Sequence, residues 1–166
     1  NLEMVISSAR RLNSLVSDLL DFSILKNFVI HLQKKPLDIR SLSHVVLQVS
    51  ESLLGDKDIE LAMDIENGLP AVSADENRLQ KILYNLVGNA IKFTEEGAVI
   101  IKARQEGDKI KVAVEDSGIG IPEDKQEGIF RSFEQGDGST ERKYGGTGLG
   151  LSITRQLVEL HGGSIS

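Results

Sequence analysis

Two asparagines and three basic residues recur at helical spacing in the stretch DENRLQKILYNLVGNAIKF, residues 75–93. At 3.6 residues per turn they fall on one side of a helix. Amide oxygens ligate metal ions and cations neutralise phosphate oxygens, so the set suits a polyphosphate with its Mg²⁺. An ordinary solvated helix face is the alternative, but the set contains no acidic residue. Its members are Arg78, Lys81, Asn85, Asn89 and Lys92.

A second candidate is VEDSGIGIP, residues 114–122, in which a strand pattern ends at Asp116 and glycines follow. A carboxylate at a strand end can accept a hydrogen bond from an amine such as the exocyclic NH₂ of adenine. Gly118 and Gly120 would let a flat base lie against the backbone. Taken alone the pattern is weak, because Asp and Gly also form ordinary turns.

A third candidate is KYGGTGLGLS, residues 143–152, where glycines lead directly into an apolar helix start. It is neither a Walker A loop nor a dinucleotide-binding G-x-G-x-x-G. Bare backbone N–H groups at a helix N-terminus favour anions, so phosphate approach is preferred here over a flexible linker. The polar, glycine-dotted segment 123–144 before it has the composition of a lid or of a disordered loop, and its apolar residues Ile129, Phe130 and Phe133 favour the lid.

The surrounding pattern predicts the elements that must position these residues. An amphipathic helix covers residues 2–26, and alternation predicts strands at 28–34 and 59–66, with Pro36 and Asp38 starting a helix to about Leu54. Asp75 is the predicted N-cap of the helix that ends near Phe93. A hairpin follows, and a last helix spans about 148–161. Helices and strands mix without a regular βαβ repeat, so we expect an α+β two-layer sandwich.

Composition excludes several classes of function. The chain of 166 residues contains no cysteine, which excludes disulfides and zinc–thiolate sites. Its net charge of −6 and few aromatic residues argue against nucleic acid as a partner. Three scattered histidines, His31, His44 and His161, cannot form a dedicated metal cage.

Four stretches together resemble the boxes of the sensor histidine kinase catalytic domain, whose GHKL (Bergerat-type) ATP-binding fold is shared with gyrase and a heat-shock chaperone. DENRLQKILYNLVGNAIKF resembles the N box, EDSGIGIP the G1 box, IFRSF the F box and GGTGLGLSI the G2 box. Residues 1–27 resemble the second helix of the dimerisation and phosphoacceptor hairpin. The resemblance therefore predicts an ATP-binding catalytic domain at 28–166, with its C-terminal strands truncated.

The resemblance also implies roles for individual residues. Asn89 would ligate Mg²⁺, Asn85 and Lys92 would lie beside the phosphates, and Phe93 would close the end of the helix. Asp116 would bind the adenine amine, with Gly118 and Gly120 shaping the base pocket.

In the G2 box, Thr147 would place a hydroxyl near the base, and Gly146, Gly148 and Gly150 would admit the phosphates. Arg142, just before this box, would reach the γ-phosphate when the lid closes. Two positions of the F box region depart from the usual pattern, Gly128 and Ser132, and both are expected to loosen the lid.

The resemblance further implies the reaction and the partners. Hydrolysing relatives carry a glutamate four residues before the metal-binding asparagine, and here that position is Asn85, which cannot accept a proton. The γ-phosphate of ATP should instead pass to a histidine on the hairpin of the same parent protein and then to a response regulator receiver domain. We expect a parent that forms a homodimer, a cytoplasmic location with or without a membrane anchor, and an acceptor histidine outside this chain.

Three other functions remain open at this point. The chain could be a nucleotide-gated interaction module without catalysis, or a GHKL ATPase, which Asn85 disfavours. A protein-serine kinase on the same fold is the third, and the predicted helix 2–26 argues against it.

Overall fold

A computed structural model of the chain describes residues 6, 9, 12, 13, 16, 17, 19, 20, 23, 31–126, 128–130 and 148–166. They fall into two compact units, of which one is Leu32–Gln126. The other comprises the described residues of Asn1–His31 and Glu127–Ser166. The predicted boundary between residues 27 and 28 stays a prediction.

The unit Leu32–Gln126 contains five strands, three α-helices and one 3₁₀ turn. Its helices are α1 (Ile39–Ser50), α2 (Glu76–Phe93) and α3 (Glu123–Gln126), and the 3₁₀ turn Glu51–Leu53 follows α1. Its strands are β1 (Lys34–Leu37), β2 (Asp58–Ile65), β3 (Val72–Asp75), β4 (Glu96–Glu106) and β5 (Lys109–Asp116).

The strands form two sheets in this unit. A small antiparallel sheet pairs β1 with β3, from Lys34 opposite Asp75 to Leu37 opposite Val72. The larger sheet has the order β2-β4-β5, with β2 parallel to β4 and β4 antiparallel to β5. The parallel pair is possible because α2 forms part of the crossover between β2 and β4.

The core lies between the larger sheet and the helices α1 and α2, so the unit has one helical layer on one sheet layer. Both helices bury an apolar stripe at spacings of three and four, and the strands bury alternate residues. The α+β two-layer prediction is therefore confirmed. The buried cluster comprises Leu42, Val46, Leu47, Ile59, Leu83, Val87, Ala90, Ile91, Val99 and Ile101.

Local capping explains where the two long helices begin. Asp38 is the N-cap of α1, and its carboxylate accepts hydrogen bonds from the backbone N–H groups of Arg40 and Ser41. Asp75 is the N-cap of α2, as predicted, and accepts from Arg78 N at 3.1 Å. Each side chain satisfies backbone donors that the first turn of a helix leaves without partners.

The structure corrects the sequence-based assignment around residue 34. A strand was predicted at 28–34. Residues 31–33 of this range lie outside any strand, and the observed strand β1 begins at Lys34. His31 is therefore not in a strand, and Pro36 belongs to β1 instead of starting the helix. Strand β3 was not predicted, because four residues are too few to display an alternating pattern.

In the other unit, the described residues between 6 and 23 are helical, as predicted, and their apolar side chains are exposed. Helix α4 spans Gly150–Leu160, which agrees with the predicted helix near 148–161. Among the residues that the structure describes, no helix has the length and apolarity needed to cross a membrane.

Candidate functional site

Helix α2 carries the predicted amide and cation face. All five polar residues of that face are intermediate in burial, neither in the core nor fully solvated. A face that served only solubility would be mostly exposed. Asn85, Asn89 and Lys92 lie at spacings of four and three, so they are neighbours on the last three turns of the helix.

The apolar side of α2 differs in part from the prediction. Val87 and Ile91 are fully buried, at 0% and 2% exposure, so they belong to the core. The apolar spacing of this helix predicts six core residues, Leu79, Ile82, Leu83, Leu86, Ala90 and Phe93. Of these, Ile82, Leu83 and Ala90 are buried, whereas Leu79, Leu86 and Phe93 are only half-buried. The ammonium of Lys92 lies 4.8 Å from the centroid of the Phe93 ring, a cation–π contact.

Asp116 ends strand β5, opposite Val99 of β4. Its Oδ1 atom accepts a hydrogen bond from the N–H of Gly118 at 2.8 Å. This bond holds the carboxylate against the turn that follows the strand. A carboxylate has lone pairs on both oxygens, so it can accept a further hydrogen bond from an amine.

Ser117 anchors the start of this turn on the neighbouring strand. Its hydroxyl accepts from Ala98 N at 3.0 Å and donates to Glu96 O at 3.2 Å, and its backbone N–H donates to Ala98 O at 3.1 Å. A Cβ atom on Gly97 would collide with this hydroxyl, and Gly97 has a φ of +117°. The residue pair Gly97–Ser117 was not singled out from the sequence, since its two members are far apart in the chain.

The turn packs against the C-terminal end of α2. The N–H of Ile119 donates to the carbonyl of Phe93 at 3.3 Å. A Cβ atom on Gly118 would lie 2.5 Å from the same oxygen, so no larger residue fits there without a shift. Gly120 has a φ of +69°, a left-handed conformation that favours glycine. The structure thus brings the turn that carries Asp116, Gly118 and Gly120 against the Phe93 carbonyl, at the C-terminal end of α2.

The remaining predicted residues belong to the other unit or lie outside the described residues. Gly148 and Gly150 belong to the other unit, where Gly148 has a φ of +66° and Gly150 is the first residue of α4. Arg142, Gly146 and Thr147 lie outside the described residues. The predicted lid 123–144 is described only at 123–126 and 128–130.

The chemistry of the donors fits a magnesium nucleotide. Within the described part of the chain, no group of three His, Cys, Asp or Glu side chains could hold a metal ion by itself. Mg²⁺ commonly keeps several waters and takes one or two protein oxygens together with phosphate oxygens. A half-buried asparagine next to a cation, as at Asn89 and Lys92, provides such a partial set.

Comparison with known proteins agrees with this chemistry. A family model described as "Histidine kinase-, DNA gyrase B-, and HSP90-like ATPase" matches residues 74–166, more than half of the chain. The circadian input-output histidine kinase CikA of Synechococcus elongatus is 42% identical over 161 residues, which cover 95% of this chain and 21% of CikA.

Two solved structures are similar in fold as well as in sequence. Full-length ShkA in complex with AMPPNP has a TM-score of 0.82 and 37% identity, covering 92% of this chain and 32% of that one. ThkA in complex with the response regulator protein TrrA has a TM-score of 0.74 and 30% identity, covering 96% of this chain and 43% of that one. The chain thus spans less than half the length of each of these relatives. It belongs to the family of histidine kinase-, DNA gyrase B- and HSP90-like ATPases, as an ATP-binding catalytic domain of the histidine kinase type.

Proposed function

We propose that this chain transfers the γ-phosphate of ATP to a histidine on a dimerisation hairpin, for relay to an aspartate of a response regulator. One observation carries the proposal. The carboxylate of Asp116 is held beside the end of α2, the helix whose half-buried face presents Asn85, Asn89 and Lys92. We take the nucleotide to be ATP, because the matching family is one of ATPases.

In this proposal the adenine end of ATP lies at the turn after β5. Asp116 accepts a hydrogen bond from the exocyclic amine of the base. Gly118 and Gly120 leave the turn without side chains, so the base can approach the backbone. Guanine carries an oxygen where adenine carries this amine, and that oxygen cannot donate to a carboxylate.

The phosphate end lies along the amide face of α2. Asn89 ligates Mg²⁺ through its amide oxygen, while Asn85 and the ammonium of Lys92 lie beside the phosphate oxygens. Phe93 closes the end of the helix, supported by the cation contact with Lys92. Catalysis of phosphoryl transfer then consists mainly of positioning and charge stabilisation.

The glycine-rich stretch before α4 supplies the rest of the phosphate site in this proposal. Gly146, Gly148 and Gly150 admit the phosphates, and Thr147 places a hydroxyl near the base. Arg142 reaches the γ-phosphate. The left-handed φ of Gly148 supports a close backbone approach at this point, since other residues rarely adopt it.

The choice of transfer over hydrolysis rests on Asn85. An amide cannot remove a proton from water, and this residue lies one turn before Asn89 on the same face of α2. The nucleotide should therefore persist until an imidazole approaches the γ-phosphate. His44 lies on α1, outside the proposed hairpin helix, and the Nδ1 atom of His161 lies 2.7 Å from Leu157 O, which accepts its hydrogen bond, so neither is the acceptor in this proposal.

The partners follow from the same proposal. Residues 1–27 form the second helix of the hairpin, which supports a homodimeric parent, and residues 28–166 form the catalytic domain. The exposed apolar residues of the N-terminal helical stretch favour a partner helix, and they include Leu12, Leu19 and Leu20, at 63%, 56% and 58% exposure. The relative ThkA is described in complex with a response regulator, which supports a receiver domain as the downstream partner.

The decisive experiment mixes the chain with a complete hairpin from the same parent and with ATP radiolabelled at the γ-phosphate. We expect acid-labile, base-stable label on the hairpin, and no label on a hairpin whose acceptor histidine is replaced by alanine. ATP-dependent binding of the hairpin without any label would make the chain a nucleotide-gated interaction module. Steady release of phosphate without a hairpin would make it an ATPase.

A further inference from the structure

The C-terminal end of α2 is capped in an unusual way. A helix leaves its last four carbonyl groups without intrahelical partners, and a glycine in the left-handed conformation commonly follows to satisfy some of them. Here the residue after the helix is Thr94, with φ −102° and ψ 132°, an extended conformation. Its N–H donates to Ala90 O at 3.0 Å. Three carbonyls of the last turn are left to other donors.

Lys57 supplies the donors for two of these carbonyls. Its ammonium Nζ donates to Ile91 O at 2.8 Å and to Lys92 O at 3.1 Å, and also to Thr94 O at 2.7 Å just past the helix. An ammonium has three donors, so all three are used. Lys57 is half-buried, and its positive charge lies at the negative end of the helix dipole.

The fourth carbonyl belongs to Phe93, and the turn that follows β5 packs against it. Ile119 N donates to it at 3.3 Å, and Gly118 packs so closely that a Cβ atom would lie 2.5 Å from it. The position of this one carbonyl therefore decides where the turn lies. The carbonyls on both sides of it in sequence, Lys92 O and Thr94 O, are the ones that Lys57 holds.

We infer that Lys57 is a positioning residue for the nucleotide site. By holding the last turn of α2 it fixes the Phe93 carbonyl, and through it the turn that carries Asp116, Gly118 and Gly120. Lys57 does not touch the nucleotide in this inference, which rests on the proposed adenine site. Without its ammonium, two helix carbonyls lose their donors, the last turn of α2 loosens, and the turn after β5 loses its fixed contact.

Titration calorimetry with Mg-ATP tests the inference on the whole chain. Lys57→Met keeps the aliphatic stem and removes the donors, and we expect the Kd to rise about tenfold. Lys57→Arg retains donors and charge, and should keep the Kd within about threefold of the parent. Lys111→Met is the matched control, because Lys111 is an exposed lysine in the β4–β5 hairpin whose ammonium pairs with the carboxylate of Glu106, at 3.4 Å, and not with a helix end.

Two readouts separate positioning from a general loss of stability, both measured at a temperature at which circular dichroism shows each variant folded. The ratio of ATP affinity to GTP affinity should fall in Lys57→Met, because the misplaced turn recognises the adenine amine less well. The N–H of Ile119 should exchange with deuterium faster in the nucleotide-free variant. A merely destabilised chain would keep the affinity ratio and would speed exchange of the core amides as much as that of Ile119, whereas the inference expects Ile119 to be affected selectively.

The outcomes distinguish this inference from the proposed function. Equal Kd and equal Ile119 exchange in Lys57→Met and in the parent would overturn the role of Lys57 while leaving the ATP site intact. A parent chain that binds no ATP would refute the proposed site, while the exchange measurement would still decide whether Lys57 fixes the turn. If Lys57→Met does not fold, Lys57→Gln takes its place, because its shorter amide keeps fewer donors. Its Kd for Mg-ATP should rise and its Ile119 N–H should exchange faster than in the parent. A parent-like Kd and exchange rate in Lys57→Gln would equally refute the inference.

Discussion

The backbone carbonyl oxygen of Phe93 lies 2.5 Å from the place that a Cβ atom on Gly118 would occupy. Position 118 therefore admits only glycine unless α2 or the turn after β5 moves. Because Gly118 has no left-handed φ, the constraint is steric contact alone and not backbone conformation.

Gly118→Ala should consequently weaken ATP binding and destabilise the fold by about 1–3 kcal/mol, the usual cost of an added group in a packed contact. Calorimetry with ATP and urea denaturation measure the two effects. Gly107→Ala is the control, because a Cβ atom there meets open space and only its φ of +65° is unfavourable. We expect about 1 kcal/mol of destabilisation and an unchanged Kd for the control. An unchanged Kd in Gly118→Ala would contradict the close packing of the turn on α2.

Asp116→Asn should raise the Kd for ATP about 10- to 100-fold, since a charged hydrogen bond to the adenine amine is replaced by a neutral one. The melting temperature without nucleotide should change little. Glu115→Gln is the matched control, because the neighbouring carboxylate lies on the same strand, in an ion pair with Lys102. If Asp116→Asn bound ATP as tightly as this control does, the carboxylate would have no part in base recognition.

Asn89→Ala should remove the contribution of magnesium to nucleotide binding, because the amide oxygen is the proposed ligand of the ion. The Kd for ATP with Mg²⁺ should then approach the value measured in EDTA. Asn77→Ala is the comparison, since Asn77 is an exposed asparagine on the first turns of the same helix. A magnesium dependence that survives in Asn89→Ala would assign the ion to another residue.

The stability of the fold should depend on Asp38 in acid. A hydrogen bond from the Ser41 hydroxyl, with backbone hydrogen bonds from Arg40 and Ser41, lowers the pKa of Asp38 below its ordinary value of 3.8. Because the folded-state pKa is depressed, the stabilisation is fully present above the unfolded value and is lost as pH falls through the folded value.

Urea denaturation at neutral pH and at a pH well below 3.8, past the lowered pKa of folded Asp38, measures this contribution. Asp38→Ala should lose stability at neutral pH and little at the acidic pH, and Ser41→Ala should reproduce part of the loss, since its hydroxyl is the largest cause of the shift. Equal losses at both pH values would mean that the charge of Asp38 does not stabilise α1.

Several features of the site were predictable from the sequence because they depend on neighbours along the chain. Asp75 and Phe93 were correctly placed as the ends of the α2 region, since an N-cap and an amphipathic stripe are local signals. The end of β5 at Asp116 was equally readable from the alternation that stops there. The half-burial of Asn85, Asn89 and Lys92 follows the predicted face.

Other features required the folded chain. Strand β3 exists because β1 pairs with it across 41 positions, from Lys34 to Asp75, and no pattern in four residues announces such a pairing. Likewise, Leu86 and Phe93 of α2 are half-buried, whereas Val87 and Ile91 are buried together with Ile82, Leu83 and Ala90. Which apolar residues of a helix face the sheet depends on the orientation in which the helix packs, and several orientations share one sequence pattern.

The sequence by itself determined the chemical groups of the site, the helix that carries the amides and the strand that ends in the carboxylate, since periodicity and capping act over a few residues. Only the tertiary structure decided how these pieces are held together. Lys57 lies 34 positions from the Ile91 carbonyl that it caps, and Gly118 must be glycine because of Phe93. Contacts of this range arise from packing, and packing is a property of the folded chain as a whole.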